Sequence, residues 1–452
     1  MQEIGLWRRG QSHNSLDTAQ LLDYRGETLA RVAQTPALII SRTVADLRRA
    51  APSPDEPLAD RLQAIARAGQ LLEGGAPGGW SLQEYSRLVA LATGTPVTYC
   101  AEGLLELARG MSQIDQALRW QTPGGDLTVF DSRDVQLPDG RRSAWVPVGQ
   151  VLGFIAPSNH PAVHLTWVMA LAMGYTVLLR PGVDDPFTPW RLIHALQEAG
   201  FPCERVAMLP GGHELVSALV EATDRTVAYG GATLSTMLGR DNKVLMNGPG
   251  HSKVLVDAPL PNLAEFLVTA IAHHGGRKCT CASAVVLRGD WPGLTAAVDE
   301  RLAALPLLDP LDPSAVVPAW KSESALRQTP AEPAVVDGLL FARPALRLCV
   351  DPAQPPFGQE IPAPWATAAA LPVGADPMAV LKGSLAVTLL STDSALRRRA
   401  LLEPSIQKLF AGPIPPWHSE PGAPHHGLLS DFLFTHKFSP EARLPQGGGP
   451  MN

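Results

Sequence analysis

The sequence has few cysteines, no long uninterrupted apolar run and no block of like charges. Its five cysteines in 452 residues are few and odd in number, which is typical of a protein from a reducing compartment. The longest apolar run, from Leu165 to Leu179, is interrupted by Gly174 and is too short to cross a bilayer. Residues 1–10 carry no apolar core of signal-peptide length. We therefore expect a cytoplasmic protein without a membrane partner.

The composition is typical of a globular protein, and the length is typical of an enzyme. Hydrophobic residues make up 45% of the chain and charged residues 18%, and the formal net charge is −6 with an isoelectric point near 6.1. This acidic balance argues against nucleic acid or an anionic membrane as the main partner. The length fits two or three domains better than one small core.

Residue patterns divide the chain into regions. Apolar residues recur every three to four positions in 30–47 and 58–68, which predicts that residues 14–115 are mainly helical. Residues 127–131 and 143–148 flank Pro138-Asp139-Gly140 and predict two strands joined by a turn. A helix or an edge strand is expected near the C-terminus.

Strand and helix patterns then alternate. The predicted strands are 151–156, 176–180, 205–209, 226–229 and 253–257, and the predicted helices are 162–174, 189–200, 212–222 and 263–274. Units of this length predict a doubly wound parallel α/β sheet, followed by a second α/β domain.

The segment from Gly276 to Ser283 contains the candidate nucleophile. It reads Gly-Arg-Lys-Cys-Thr-Cys-Ala-Ser, so that two cations precede Cys279. Adjacent positive charge lowers the pKa of a cysteine, and the thiolate is the nucleophile. Two other interpretations are a metal site shared with the nearby histidine pair and an inert buried cysteine, although the spacing is not that of structural zinc sites. Cys281 fits a packing residue or a secondary redox partner.

A second segment, Gly153 to Pro161, reads Gly-Phe-Ile-Ala-Pro-Ser-Asn-His-Pro. Asn159 follows a predicted buried strand, at the end of a parallel sheet where α/β sites lie. An asparagine in this context is often only a turn residue. Together the two segments resemble the cysteine and Asn-x-Pro motifs of the aldehyde dehydrogenase superfamily, and the resemblance spans roughly residues 25–440.

The resemblance implies a fold, a chemistry and an assembly. It implies a Rossmann-like cofactor domain (1–125 and 149–248), a catalytic domain carrying Cys279 (249–410), and oligomerisation or bridging elements (126–148 and 411–452). Cys279 would add to an aldehyde and then carry a thioester. The Asn159 amide would stabilise the oxyanion. A homodimer or homotetramer is expected.

The resemblance also implies a nicotinamide nucleotide site. Its expected residues are Ala156, Pro157, Ser158, Arg180, Gly230, Gly231, Ala232 and Glu360. Arg180 retains a cation where the family has lysine, while Gly182-Val183 stand where NAD-specific members often carry a glutamate. This slightly favours NADP over NAD, although Asp184 or Asp185 could replace the carboxylate.

One departure from the family pattern determines the expected reaction. Asn247, in Asn-Gly-Pro-Gly, stands where hydrolytic members have a glutamate that activates water. An amide cannot act as that base, and the segment resembles CoA-acylating members. We therefore expect CoA as co-substrate and reduction of an acyl thioester to an aldehyde. The alternatives are a hydrolytic enzyme whose base is His251, Glu214 or Glu360, and a non-catalytic partner subunit.

Overall fold

The computed structural model describes residues 1–53, 56–131, 133–136 and 142–439. In chain order its strands are β1 (Gln2–Ile4), β2 (Leu6–Arg8), β3 (Gln11–His13), β4 (Thr18–Leu22), β5 (Thr28–Ala33), β6 (Asp134–Gln136), β7 (Arg142–Pro147), β8 (Val151–Ile155), β9 (Thr176–Arg180), β10 (Val206–Met208), β11 (Arg225–Tyr229), β12 (Val244–Asn247), β13 (Lys253–Val256), β14 (Ala284–Arg288), β15 (Ala319–Trp320), β16 (Pro333–Val336), β17 (Leu339–Ala342), β18 (Ala345–Leu348), β19 (Trp365–Leu371), β20 (Ala386–Leu390), β21 (Lys408–Ala411) and β22 (Phe434–Ser439).

The helices connect and cover these strands. They are α1 (Leu38–Arg49), α2 (Leu58–Gly74), α3 (Leu82–Thr93), α4 (Val97–Ser112), α5 (Ile114–Arg119), α6 (Leu165–Ala172), α7 (Phe187–Glu198), α8 (Glu214–Ala222), α9 (Ala232–Leu238), α10 (Leu263–Ala272), α11 (Leu294–Ala303), α12 (Glu323–Leu326), α13 (Met378–Leu381), α14 (Ser394–Leu401) and α15 (Leu429–Leu433). In the described ranges no single helix is long and apolar enough to span a membrane, while the bent pair α3 and α4 would qualify by length and composition only.

Two parallel sheets form the framework of the molecule. The first has the order β12-β11-β8-β9-β10-β2-β3 and is parallel from β12 to β10. All five residues of β8 are buried. Leu152 and Phe154 enter one apolar cluster with α2 and α7, whereas Val151 and Ile155 enter another with α1 and α8. Helices therefore cover both faces, and the predicted doubly wound sheet is confirmed.

The second sheet is parallel throughout, with the order β18-β19-β14-β13-β20-β21. Its central strands are also buried on both sides, since Val254 and Val256 enter one apolar cluster and Leu255 enters another. The catalytic candidate Cys279 lies in the connection from α10 to β14 of this sheet, at the amino end of β14.

Three smaller sheets, each three-stranded in the described residues, complete the fold. Their orders are β1-β5-β4, β15-β17-β16 and β22-β7-β6. The last joins β7 to the C-terminal strand β22 by an antiparallel ladder. The predicted turn at Pro138-Asp139-Gly140 lies outside the described residues.

Two local predictions are wrong. Residues 14–115 are not mainly helical at their start, because β4 and β5 pair antiparallel there and β5 also pairs with β1. Pro36 separates β5 from α1, so the apparent period over 30–47 spans two elements. Residues 128–130 form a short 3₁₀ helix instead of a strand, since Asp126 accepts the Thr128 backbone N–H and starts a turn.

Candidate active site

Cys279 packs directly on the Gly-Pro-Gly turn that follows β12. A Cβ atom at Gly250 would lie 1.9 Å from the Cys279 carbonyl oxygen, so only glycine fits there. Ser252 Oγ donates a hydrogen bond to the same carbonyl at 3.0 Å. The two motifs singled out in the sequence, the cysteine and the Asn-Gly-Pro-Gly segment, therefore meet in space.

The surroundings of Cys279 favour the neutral thiol. Burial raises the pKa of Cys279 to about 12, and the Glu360 carboxylate adds to this, whereas Lys408 and Lys278 act in the opposite direction. The expectation that adjacent cations produce a low cysteine pKa is therefore wrong, because desolvation outweighs them. A base is needed to ionise this thiol near neutral pH.

Cys281 is buried, and its Sγ donates to the His273 carbonyl at 3.2 Å. Burial raises the pKa of Cys281 to about 12. The structure therefore gives Cys281 the packing position that was one of its two interpretations. All five cysteines are free thiols.

Asn159 lies against the loop that carries Cys279. Its Nδ2 donates to the Arg277 carbonyl at 3.1 Å, and its buried Oδ1 has no hydrogen-bond partner. Asn159 also lines a narrow cavity together with Tyr99, His160 and His274. The amide is therefore within reach of the Cys279 loop, as the sequence predicted, while its role remains a prediction.

Asn247 reaches Cys279 through two histidines that the sequence did not identify as site residues. Cys279 Sγ lies 3.7 Å from His425 Nε2. His425 Nδ1 lies 2.8 Å from His426 Nδ1, which in turn lies 2.8 Å from Asn247 Oδ1. The four side chains form a continuous chain, which we call the histidine chain. Its only trace in the sequence is the pair His425-His426 in a segment far from either motif.

Both histidines of the chain are neutral near neutral pH. Burial lowers the pKa of His425 well below its ordinary value, and Lys408 and His426 add to this. Burial and Lys408 lower the pKa of His426 to about 4. Neutral imidazoles can accept a proton, so the histidine chain is a candidate base.

An ionic cluster contains Lys278, the residue before Cys279. Lys278 Nζ is 2.7 Å from Glu106 Oε2, and Ser419 Oγ donates to Glu106 Oε1 at 2.7 Å. His160 Nε2 lies 3.6 Å from the same carboxylate. The cation that precedes Cys279 is therefore paired with a carboxylate from α4.

Seven of the eight predicted nucleotide residues, all except Glu360, lie along one edge of the first sheet. The strands β11, β8 and β9 are adjacent and parallel, so that Gly230-Gly231-Ala232, Ala156-Pro157-Ser158 and Arg180 share their carboxyl edge. The Ala156 N–H donates to the Arg180 carbonyl at 2.9 Å. A Cβ atom at Gly231 would meet nothing within 4 Å. The edge is therefore accessible to a ligand beside Gly231.

Arg180 has an unused donor at this edge. Its Nε donates to the Gly212 carbonyl at 3.2 Å, but its Nη2 is buried without a hydrogen-bond partner. Such an orphaned donor fits a hydroxyl or phosphate oxygen of a bound nucleotide. Burial lowers the pKa of Arg180, and the Glu214 carboxylate opposes this, which places a carboxylate near the guanidinium.

The two aspartates considered as replacement carboxylates have other partners. Asp184 pairs with Lys321 at 2.6 Å. Asp185 is buried and accepts the backbone N–H of Thr188 at the start of α7. Neither carboxylate is therefore directed at Arg180 in this structure.

Glu360 lies at the Cys279 turn. Its Oε2 accepts the Gly250 N–H at 2.6 Å, and burial raises the pKa of its carboxyl. Of the other alternative bases, His251 hydrogen-bonds the Gly358 carbonyl at 2.8 Å and Glu214 accepts the Gly212 N–H at 2.9 Å. Glu360, one of the predicted nucleotide residues, thus lies at the turn on which Cys279 packs.

The histidines that precede Cys279 make ring contacts. His273 stacks on Trp417, and His274 stacks on Tyr99. Over the ranges that the structure describes, no group of three or more histidine, cysteine or acidic side chains is arranged to hold a metal ion.

Comparison with known proteins agrees with this arrangement. Residues 7–331 match the family described as "Aldehyde dehydrogenase family". The mitochondrial methylmalonate-semialdehyde/malonate-semialdehyde dehydrogenase (acylating) of Rattus norvegicus is 27% identical over 277 residues, which cover 58% of this chain and 49% of the relative. Malonate-semialdehyde dehydrogenase 1 of Geobacillus thermodenitrificans is 29% identical over 238 residues, covering 49% of this chain and 46% of the relative. The chain thus spans about half the length of the curated relatives it matches.

Solved structures share the fold over nearly the whole chain. The indole-3-acetaldehyde dehydrogenase of P. syringae, in complex with NAD+ and IAA, has a TM-score of 0.80 at 20% identity, covering 97% of this chain and 96% of that one. The NAD+ complex of an aldehyde dehydrogenase from Bacillus cereus has a TM-score of 0.81 at 17% identity, with the same coverage. With the family match extending over more than half of its residues, this chain belongs to the aldehyde dehydrogenase family.

Proposed function

We propose that this protein is an NAD(P)-dependent oxidoreductase that interconverts an aldehyde and an acyl thioester through Cys279. The observation that carries the proposal is Asn247, which is buried and has its Oδ1 against His426. It stands where the family resemblance predicts a water-activating glutamate. An amide cannot remove a proton from water, so transfer of the acyl group to a thiol is favoured over hydrolysis.

The relatives support this choice. The rat relative is described as acylating, and the part of this chain that matches the family, residues 7–331, contains the Asn-Gly-Pro-Gly segment. We infer that CoA, or a carrier with the same thiol, is the acyl acceptor. Exchange of a thioester with a thiolate needs no carboxylate to activate water.

In the proposed mechanism Cys279 forms and breaks the bonds to carbon. The thiolate adds to the aldehyde carbonyl, and the Asn159 amide stabilises the resulting oxyanion. Loss of hydride leaves an acyl group on Cys279 as a thioester. The acceptor thiolate then attacks the acyl carbon and releases Cys279, and the reverse sequence reduces an acyl thioester to an aldehyde.

The nucleotide would be held along the carboxyl edge of the first sheet. Arg180 offers its unpartnered Nη2, and the turns at Ala156-Pro157-Ser158 and Gly230-Gly231-Ala232 offer backbone near the same edge. NAD(P), when bound, accepts or supplies the hydride. Arg180 supports a preference for NADP, whereas Glu214 beside it would repel a 2′-phosphate. The ratio of kcat/KM with NADP to that with NAD measures whether the effect of Arg180 or that of Glu214 is larger.

Three finer proposals follow from the sequence. We propose reduction of the acyl thioester as the favoured direction and the cytoplasm as the location, the latter because all five cysteines are free. The sheet β22-β7-β6 supports a homodimer or homotetramer assembled through that element. Size-exclusion chromatography with light scattering measures the assembly.

The decisive experiment follows NAD(P)H absorbance in both directions. One set of assays supplies acyl-CoAs with NADPH or NADH, and the other supplies aldehydes with NADP+ or NAD+, with and without CoA. Consumption of NAD(P)H with an acyl-CoA, or aldehyde oxidation that requires CoA, supports the proposal. Aldehyde oxidation to free acid at the same rate without CoA would replace it with the hydrolytic alternative. Absence of nucleotide binding would favour a non-catalytic subunit.

A further inference from the structure

The segment between β21 and α15 places two histidines in line from the candidate nucleophile to Asn247. We propose that His425 is the base that ionises Cys279, and that His426 and Asn247 complete a relay that carries the proton away. This rests on the proposed function in one respect, namely that Cys279 is the nucleophile. His425 is the catalytic member because it contacts the reacting sulfur, and His426 and Asn247 position it.

The atoms are arranged for two linked proton transfers. The S–H bond of Cys279 breaks as an N–H bond forms at His425 Nε2, 3.7 Å away. The proton on His425 Nδ1 moves to His426 Nδ1, 2.8 Å away. The sulfur becomes a thiolate, His425 stays neutral and His426 becomes an imidazolium.

Asn247 favours the charged state of the relay. Its Oδ1 lies 2.8 Å from His426 Nδ1, where it accepts the N–H that the second transfer creates. A carbonyl oxygen can only accept a hydrogen bond, so it stabilises the imidazolium more than the unprotonated nitrogen. Asn247 therefore has a positive role here, besides its lack of a carboxylate.

The same base serves the second half of the reaction. Once the acyl group is on Cys279, the proton on His425 Nε2 passes to solvent water and the proton on His426 Nδ1 returns to His425 Nδ1, so that His425 Nε2 is again a proton acceptor. When an acceptor thiol then enters, its S–H bond breaks and an N–H bond forms at His425 Nε2. The new thiolate forms a bond to the acyl carbon, and the bond from that carbon to Cys279 Sγ breaks. Cys279 leaves as the thiolate, ready for another cycle.

Other charged and titratable groups face the relay from the neighbouring elements. Lys408 of β21 interacts with His425, His426 and Cys279, and it opposes protonation of both imidazoles. Tyr229 of β11 has its ring 6.1 Å from that of His425. Glu360 acts on Cys279 and disfavours the thiolate. The thiolate is therefore formed only when the relay removes the proton, which links the reactivity of Cys279 to His425.

The test measures alkylation of Cys279 by iodoacetamide as a function of pH, without nucleotide or substrate. Peptide mass spectrometry reports modification at Cys279 separately from the other four cysteines. We expect His425→Gln to move the midpoint of the pH profile upward and to lower the rate at neutral pH by roughly two orders of magnitude, the usual contribution of a positioned base. A midpoint equal to that of the unmodified protein would overturn the proposal.

The matched control is His418→Gln, seven positions earlier in the same segment. His418 is exposed, with its Nε2 3.9 Å from the Glu420 carboxylate, so its loss should leave the profile unchanged. Thermal melts of both variants check that each is folded. If His425→Gln fails to fold, alkylation of His425→Ala with added imidazole takes its place, and we expect the imidazole to restore part of the rate.

Asn247→Asp tests the end of the relay that is farthest from Cys279. The measurement is again the pH midpoint of Cys279 alkylation, which would not change if Asn247 had only a structural role. A carboxylate beside His426 stabilises the imidazolium more strongly than an amide does. We expect the midpoint for Cys279 alkylation to fall, whereas Asn247→Ala should raise it. Equal midpoints in the two variants would remove Asn247 and His426 from the relay.

These outcomes are separable from failure of the proposed function. Alkylation does not depend on aldehyde, CoA or nucleotide, so the relay can be established in a protein that proves hydrolytic. Conversely, CoA-dependent turnover that survives His425→Gln with an unchanged pH profile would retain the proposed function and reject the relay.

Discussion

Two clusters border Cys279, and they differ in the state of their charges. The ionic cluster contains Lys278, Glu106 and Ser419, with its ammonium and carboxylate paired at 2.7 Å. The histidine chain contains neutral imidazoles that end at an amide oxygen. The first cluster is an ion pair, whereas the second consists of neutral rings. Of the two, only the histidine chain has an atom within 4 Å of Cys279 Sγ that can accept a proton, namely His425 Nε2 at 3.7 Å.

The difference in charge between the ionic cluster and the histidine chain follows from burial as much as from residue type. Burial alone would raise the pKa of Glu106, but His160 and Lys278 with their hydrogen-bonding neighbours lower it to about 2. Burial lowers the pKa of His160 well below its ordinary value, so His160 is neutral near neutral pH and the ion pair of this cluster is the one between Lys278 and Glu106. His425 has Lys408 nearby, which favours the neutral ring. In the ionic cluster, pairing keeps the Glu106 carboxylate charged. In the histidine chain, burial keeps the two imidazoles neutral.

Replacing Cys279, which lies next to both clusters, is expected to have the largest effect on turnover. Cys279→Ser should abolish turnover, because a serine hydroxyl in this site is a far weaker nucleophile than a thiolate. Nucleotide affinity, measured by NAD(P)H fluorescence, should remain close to that of the unmodified protein. Cys281→Ser is the matched control, and it should retain activity. Loss of nucleotide binding in Cys279→Ser would mean that Cys279 is structural.

Asn159→Ala should have the next largest effect on turnover. Loss of one oxyanion donor lowers kcat by roughly two to three orders of magnitude. Steady-state kinetics measure kcat and KM, and the alkylation profile of Cys279 should not move, because Asn159 does not belong to the histidine chain. An unchanged kcat would remove Asn159 from the oxyanion site.

Breaking the ionic cluster should affect stability more than chemistry. Glu106→Gln leaves Lys278 buried without its partner, which costs about 3 kcal/mol in the free energy of unfolding. The pKa of Glu106 is about 2 in the folded protein and 4.5 ordinarily, so its contribution is complete above pH 4.5 and is lost as the pH falls toward 2. Urea unfolding at several pH values measures this loss.

The control for Glu106→Gln is the double variant Glu106→Gln/Lys278→Met. Removing both charges leaves no uncompensated ammonium, so most of the lost stability should return. If Glu106→Gln alone is as stable as the unmodified protein at neutral pH, the pair does not stabilise the fold.

The framework predicted from the sequence is confirmed and Cys279 stays the predicted nucleophile, but the sequence did not predict the histidine chain. Residues 151–155 are apolar without interruption, and this local pattern is sufficient for a buried parallel strand. Cys279 and Asn159 were identified because each lies in a compact motif. His425 comes within reach of Cys279 across 146 positions, and no local pattern encodes that contact. Likewise, the sequence could not show that burial raises the pKa of Cys279 by more than Lys278 lowers it.

Asn247→Glu introduces a charge into the neutral cluster and should have the smallest effect of these changes. A carboxylate at this position can act as a base toward water, so aldehyde oxidation without CoA should rise by about ten-fold, at the low end of what a base contributes. The matched control is Asn247→Gln, which has the same length without the charge. Because Asn247 is buried, both variants meet the same crowding, and only the carboxylate variant should gain hydrolysis. Equal hydrolysis in the two variants would mean that position 247 does not face the acyl group, and the contrast between the two clusters would then rest on the histidines alone.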